Sequence, residues 1–125
     1  MINNGTEYQV DRAGRAQGNI VIEDYYRGKP VTAIADSAFR GVSRVTGIVL
    51  GSNIRTIGAN AFNSCVNLTS VTLSEGLQSI GDSAFKACTA LTEIEIPSTV
   101  ERIGDSAFLR CRGLTVLTRT EGGKE

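Results

Sequence analysis

The apolar residues of this chain recur at an interval of 23 positions. All four phenylalanines keep this spacing: Phe39, Phe62, Phe85 and Phe108. Seven more columns are apolar in the same frame, broken only at Arg119 and Gly123, and they begin at Ile34, Ala38, Val42, Val45, Ile48, Leu50 and Ile54. A unit of this length cannot bury its own apolar face, so successive copies must stack. The pattern therefore predicts a solenoid of four repeats, at residues 34–56, 57–79, 80–102 and 103–125.

Each repeat is predicted to contain one strand and one short helical turn. Leu68, Val71 and Leu73 alternate with polar residues, which is the period of a half-buried strand. Before the phenylalanines stand glycines that suit a tight turn and aspartates that can accept bonds from the first amides of a helix: Gly58, Gly81 and Gly104, and Asp36, Asp82 and Asp105. We expect a short helix or 3₁₀ turn there, and hence an α/β solenoid with one face of parallel strands.

Residues 1–33 lie outside the repeat and are predicted to form an N-terminal β cap on the same structural domain. Tyr8–Val10 and residues 20–22 have the composition of two strands that would cover the first open repeat. The spacing between these residues and the first repeat leaves a five-residue insertion, 25–29, which is expected to project as a loop.

The last repeat is predicted to leave its end open. The Leu50 column becomes Arg119 there, and polar residues and glycines follow it. Phe108, Leu114 and Leu117 should then be partly exposed, because an uncapped rung presents strand edges and core columns to solvent. We expect this edge either to associate with a second copy of the chain or to continue into further repeats.

Composition narrows the possible chemistry. Thirteen Lys and Arg balance thirteen Asp and Glu, so no nucleic acid or other polyanion is expected as a partner. The sequence contains no His, which removes the usual general base, the commonest metal ligand and the Ser-His and Cys-His couples. No apolar stretch approaches the roughly 18 residues of a membrane span. We therefore expect no catalysis, no cofactor and no insertion into a membrane.

Three cysteines, Cys65, Cys88 and Cys111, share one column of the repeat. Stacked rungs would hold neighbouring thiols about 5 Å apart, a separation that does not by itself exclude a disulfide. A metal site would need further ligands, and the chain offers neither His nor a Cys-x-x-Cys pair. The expected role of these residues is that of small buried thiols in the core.

Outward positions of the predicted strands form a surface of small, neutral and acidic residues. Solenoids bind partners through such rigid faces, although small polar residues are also typical of an idle solvated sheet. The residues predicted to bind a partner on this surface are Val49, Ser70, Thr72, Ser74, Glu93 and Glu95, and the inserted loop adds Tyr25, Tyr26 and Arg27. Glu93 and Glu95 could also form a glycosidase-type acid pair, which is the weakest alternative.

The repeat resembles the BspA-like class of the leucine-rich repeat superfamily. The hallmark Ile-Gly-x-x-Ala-Phe-x-x-Cys-x-x-Leu-x-x-Val-x-Ile-Pro is matched closely by the segment Ile80-Gly81-Asp82-Ser83-Ala84-Phe85, and by Cys88, Leu91, Ile94 and Ile96-Pro97. The resemblance covers residues 34–117, and residues 28–34 are similar to the family's lead-in to its first repeat. It implies a right-handed curved solenoid in proteins that are often bacterial or protozoan surface molecules used for adhesion. It does not imply an enzyme.

The predicted function is that of a non-catalytic protein-binding or adhesion module that presents a rigid surface to a protein partner. The alternative is a small intracellular inhibitor or regulator that blocks another protein by binding it. A location at the cell surface or outside the cell is expected if the chain is a fragment of an exported parent. A cytoplasmic location is expected if Met1 is the native start.

Overall fold

The protein, described by a computed structural model for residues 5–119, is a parallel β-solenoid of about five turns, or rungs. Its strands are β1 Tyr8–Val10, β2 Gly18–Val21, β3 Tyr25–Tyr26, β4 Lys29–Ile34, β5 Val45–Val49, β6 Thr56–Ile57, β7 Ser70–Thr72, β8 Ser79–Ile80, β9 Glu93–Ile96, β10 Arg102–Ile103 and β11 Val116–Arg119. The solenoid predicted from the repeat is confirmed.

Two ladders of parallel strands run along the solenoid. One has the order β1-β4-β6-β8-β10 and places Ile34, Ile57, Ile80 and Ile103 in one row. The other contains β2-β5-β7 and, as a separate pair, β9-β11. The sequence pattern predicted only the second ladder, because most strands of the first are two residues long and too short to show alternation.

The helical turn predicted in each repeat is wrong, since the described residues contain no helix. Each of the four repeats has a positive φ at the same two places of this segment. The residues at the first place are Ser37, Asn60, Ser83 and Ser106, and those at the second are Gly41, Ser64, Ala87 and Arg110. Left-handed residues reverse the chain within each turn. As a result only some amides bond within the turn, as Arg40 N does to Ser37 O at 3.2 Å, while Phe39 N donates to Ala61 O in the next rung at 2.7 Å.

The aspartates of these turns bond between rungs, and not to the amides of a helix as predicted. The Asp36 carboxylate accepts from the backbone N–H of Ala59, and the Asp82 carboxylate accepts from that of Asp105, both at 2.9 Å. Each acceptor therefore ties its own rung to the next one. The turns form a third line of hydrogen bonds along the solenoid, beside the two strand ladders.

The glycine before each phenylalanine is required for close packing of rungs and not for a left-handed turn. None of Gly58, Gly81 and Gly104 has a positive φ. A Cβ at Gly58 would lie 2.5 Å from Asp36 N of the preceding rung. The rungs approach each other too closely at this corner for any side chain.

The first and last rungs of the described residues, 5–119, differ in pairing and exposure. β1 and β2 pair in parallel with β4 and β5 and form the first rung. β1 has the bounds expected from the sequence, while the second strand spans Gly18–Val21 where residues 20–22 were expected. At the other end Phe108 and Leu114 are half-buried and Leu117 is 52% exposed, as predicted for an open rung.

Candidate protein-binding surface

The strand face, meaning the outward side chains of β2, β5, β7, β9 and β11, carries most of the residues predicted to bind a partner. Ser70 and Thr72 are exposed on β7, opposite Gly47 and the half-buried Val49 of β5. Glu93 and Glu95 are exposed on β9, opposite Val116 and Thr118 of β11. The structure thus brings five of the six predicted strand residues onto one surface.

Ser74 does not belong to this surface, and its predicted exposure is wrong. Its side chain is only 5% exposed, and its hydroxyl donates to the carbonyl of Ile54 at 2.8 Å. Its column neighbours Gly51 and Pro97 are buried as well. The chain has left the strand at this position and turns toward the core, so Ser74 stabilises the corner of its rung.

The strand face is interrupted at its centre. No ladder joins β7 to β9 within the described residues, whereas both flanking pairs, β5-β7 and β9-β11, are regular. A cleft of about 190 Å³ lies at this break, lined by Val71, Thr72, Leu73, Glu75, Glu95 and Pro97. A second hollow of about 320 Å³ adjoins it, lined by Val71, Glu93, Ile94, Glu95, Val116 and Thr118. Nothing in the repeat pattern predicts this interruption.

Val71 forms the floor that the two hollows share. It is half-buried, while Ile48, its partner on β5, is 1% exposed, and Ile94, at the same position of the next repeat, is 3% exposed. Around this apolar floor stand the carboxylates of Glu75, Glu93 and Glu95, none of which forms an ion pair with another described residue. The cleft therefore offers an apolar contact beneath an unneutralised acidic rim.

The inserted loop is a β-hairpin. β3 pairs antiparallel with the start of β4, and the two turn residues, Arg27 and Gly28, have positive φ values of 51° and 82°. This is the conformation that a two-residue hairpin turn favours. The segment was expected as a loop and is instead a pair of strands, on which Tyr25 is 59% exposed.

Tyr26 is exposed, but its ring also packs against another tyrosine of this chain. Its ring packs edge-on against Tyr8 with centroids 5.0 Å apart, and the Arg27 guanidinium lies 5.2 Å from its centroid. Tyr26 and Tyr8 line an apolar hollow of about 320 Å³ that also includes Val21. Tyr25 is therefore the freer of the two tyrosines for a partner.

Val21 is an exposed residue of the strand face that the sequence pattern did not predict. It is 63% exposed and lies in register with Val49, so it begins the outward row that continues to Thr72. The row changes from apolar at Val21 to acidic at Glu95. The signal was the alternation in β2, which becomes readable once Ile20 is aligned with Ile48.

The three cysteines are free and buried, as predicted. Each thiol donates to the carbonyl of a phenylalanine in the preceding rung, as Cys65 Sγ does to Phe39 O at 3.0 Å. Burial raises the pKa of Cys65 from its ordinary 9.0 to about 11. The hydrogen bond with Cys111, together with burial, raises the pKa of Cys88. Cys65 and Cys88 are therefore protonated packing groups at neutral pH, whereas the same hydrogen bond lowers the pKa of Cys111.

Replacing Cys65 with Val is expected to change the free energy of unfolding by less than about 1.5 kcal/mol, because Val42 fills this column in the first repeat and the volumes are similar. Native Cys65 should resist iodoacetamide at neutral pH and react once urea unfolds the chain. Between pH 9.0 and about 11 the unfolded chain loses this proton and the folded chain keeps it, so stability falls as pH rises. The variant should show a shallower fall. Destabilisation by several kcal/mol, or rapid native alkylation, would contradict the assignment.

Within residues 5–119 no group of His, Cys, Asp and Glu side chains is arranged to hold a metal ion. The described part of the chain also has no helix with the length and apolarity needed to cross a bilayer.

Solved structures of bacterial leucine-rich repeat proteins resemble this solenoid. A protein from Bacteroides capillosus is 31% identical, with a TM-score of 0.71 over 81% of this chain and 77% of its own. The pneumococcal vaccine antigen PcpA is 27% identical, with a TM-score of 0.72 over 97% of this chain and 33% of its own. A leucine rich cell surface protein of Faecalibacterium prausnitzii shares the fold at 19% identity, with a TM-score of 0.69 over 86% of this chain and 34% of its own.

No curated protein matches the chain. The family model of the BspA type leucine rich repeat region matches residues 19–123 in six copies. This range begins at β2, inside the segment that precedes the four repeats recognised by their phenylalanines, in agreement with the parallel pairing of β2 and β5. The chain belongs to the BspA-type leucine-rich repeat family.

Proposed function

We propose that this chain is a non-catalytic protein-binding module that holds its partner on the strand face. The observation that carries the proposal is the cleft between β7 and β9, where an apolar floor at Val71 lies beneath Glu93 and Glu95. A basic side chain from the partner fits this arrangement, because its alkyl stem can lie on Val71 while its charge meets the carboxylates. The hairpin with Tyr25 and Tyr26 provides a second contact area.

Rigidity supports binding on this face. β7 is held by its ladder with β5, and β9 is held by its ladder with β11. Because the strands beside the cleft are already ordered, little conformational entropy of this chain is lost when a partner binds. The family is generally non-catalytic. Glu93 and Glu95 are both exposed on one strand, which gives neither of them the desolvated environment that a general acid needs.

An extracellular setting is part of the proposal. It is supported by two structural relatives, one described as a cell surface protein and one as a vaccine antigen. A module displayed there would meet protein partners on other cells, which is the adhesion role that the resemblance to the BspA-like class implies.

The proposal is tested by capture from a host-cell extract on the immobilised chain, followed by identification of the retained protein and titration with it. Changing Glu93 and Glu95 to Lys should weaken its binding by about tenfold or more, since the reversal places like charges against the basic group. A matched control reverses one exposed acid away from the cleft, Glu101→Lys, and should bind normally.

Each variant must first show the same unfolding midpoint as the parent chain. A loss of binding can then be distinguished from a loss of folding. A second variant, with Tyr25 and Tyr26 both changed to Ala, separates the hairpin from the cleft. Normal binding by both double variants would show that the partner uses neither area. Self-association, measured by light scattering, would identify a second copy as the occupant instead.

A further inference from the structure

The positive charges of this neutral chain are concentrated on one side of the solenoid. We define the turn face as residues 12–17, 37–44, 60–67, 83–90 and 106–113, one segment from each rung. These segments contain seven of the thirteen basic residues and no acidic residue. The seven are Arg12, Arg15, Arg40, Arg44, Lys86, Arg110 and Arg112. Zero net charge therefore conceals a strongly basic surface.

These cations are available to a ligand. Six of them are exposed, and Lys86 is half-exposed. None forms an ion pair with a carboxylate in the part of the chain that the structure describes. Four exposed aspartates stand at the margin of the face: Asp11, Asp36, Asp82 and Asp105. The Asp36 and Asp82 carboxylates each accept a backbone N–H of the next rung, and the Asp11 carboxylate accepts from the Gln9 amide.

The face is rigid and its charges follow a line along the solenoid. Neighbouring rungs are held together by turn hydrogen bonds such as Phe39 N to Ala61 O at 2.7 Å and Phe85 N to Ala107 O at 2.8 Å. Arg44 also donates to the carbonyl of Gly14 and so joins the first two rungs. With rungs about 4.8 Å apart, five rungs span roughly 19 Å.

The distribution of charge along this line has two clusters. The first two rungs contribute four arginines and the last two contribute Lys86, Arg110 and Arg112, while the rung between them is neutral and polar. That middle rung presents the exposed Asn67 and the half-buried Ser64, whose amide and hydroxyl groups are suited to neutral hydroxyl groups, whereas Asn63 is buried and bonds to Asn60 and Ser64. A ligand that alternates anionic groups with hydroxyls matches this pattern.

We propose that the turn face binds a linear anionic polysaccharide, with sulfate or carboxylate groups on the two basic clusters and sugar hydroxyls on the middle rung. Six of the seven cations are arginines, which bind such anions through two parallel hydrogen bonds. The face has no helix or ribbon that could enter a DNA groove and no exposed aromatic ring on which bases could stack. It lies apart from the strand face, so it is independent of the protein-binding proposal.

The test is titration of the chain with a heparin oligosaccharide in low salt. Binding should weaken steeply as salt is raised, because the contacts release counterions. Changing Lys86 and Arg112 to Glu should reduce the affinity by about tenfold or more. The control pair, Arg55→Glu with Arg102→Glu, alters net charge equally on exposed residues outside the turn face and should reduce it much less.

A second pair, Arg12→Glu with Arg40→Glu, tests the other cluster if the first pair unfolds the chain. Unsulfated chondroitin in place of heparin distinguishes carboxylate from sulfate recognition. Three results would each overturn the proposal: no heparin binding in low salt, an equal loss in the control pair, or duplex DNA of matched length bound as tightly as heparin.

Discussion

Replacing Phe85 with Ala is expected to lower the free energy of unfolding by about 3–5 kcal/mol, the usual cost of deleting a buried aromatic ring from a core. Phe85 is fully buried and stacks on both neighbouring rungs, with centroid distances of 5.1 Å to Phe62 and 5.5 Å to Phe108. The cavity would open inside the stack, where the closely bonded rungs cannot collapse to fill it. Urea denaturation followed by circular dichroism measures the change.

Phe108→Ala is the matched control for this loss. Phe108 is the last ring of the stack, has only one aromatic neighbour in the described residues and is half-buried. Its replacement should cost clearly less than that of Phe85. Equal losses at the two positions would show that the stack does not stabilise the solenoid through its interior contacts.

Gly81→Ala is expected to destabilise the protein by about 1–3 kcal/mol, the usual cost of overpacking. An added Cβ would lie 2.6 Å from the backbone N of Ala59 and 2.7 Å from the carbonyl carbon of Gly58. Both are backbone atoms, so relief requires a shift of the whole rung. The same denaturation experiment measures the effect.

Gly76→Ala controls for the change in backbone entropy. Gly76 also has an ordinary φ, and its added Cβ would have no neighbour nearer than Ser52 O at 3.7 Å. This substitution should be neutral or slightly stabilising, because Ala restricts the unfolded chain. A tolerated Gly81→Ala would mean that neighbouring rungs can separate at this corner.

Residues that face the core were predictable because each one repeats. The burial of Phe62 and Phe85, the free thiols and the partly exposed Leu117 all follow from reading one column at a time. In a stacked fold, a column that is apolar in successive copies must face the core. The sequence therefore specifies the interior of this protein well.

Backbone conformation within the turns was less predictable. Ser37 and Ala87 have positive φ although neither is a residue type that favours this region. Gly41 and Asn60, which do favour it, occur in these two columns in one repeat each, so the preference does not recur through the repeats. The constraint comes from the next rung, which accepts the amide hydrogens of the turn. A pattern read within one repeat does not contain that information.

The candidate surfaces show the same limit. Ser74 follows the polar alternation of its strand and yet is buried, because the chain turns one residue earlier than the alternation suggests. The gap between β7 and β9 depends on how two rungs pack and has no counterpart in the columns. The turn face could have been found from the sequence by summing charge column by column, in place of net charge over the chain.

The hydrogen bonds between rungs also limit how this protein can change in length. The Asp36 and Asp82 carboxylates each bond to an amide 23 residues further along the chain, and the strand ladders use the same interval. Deleting one residue within a rung would misalign two strand ladders and the turn bonds at once. Duplicating residues 80–102 would preserve every interval and add a rung. Gene segments of one full repeat are therefore the natural unit of gain and loss for this chain.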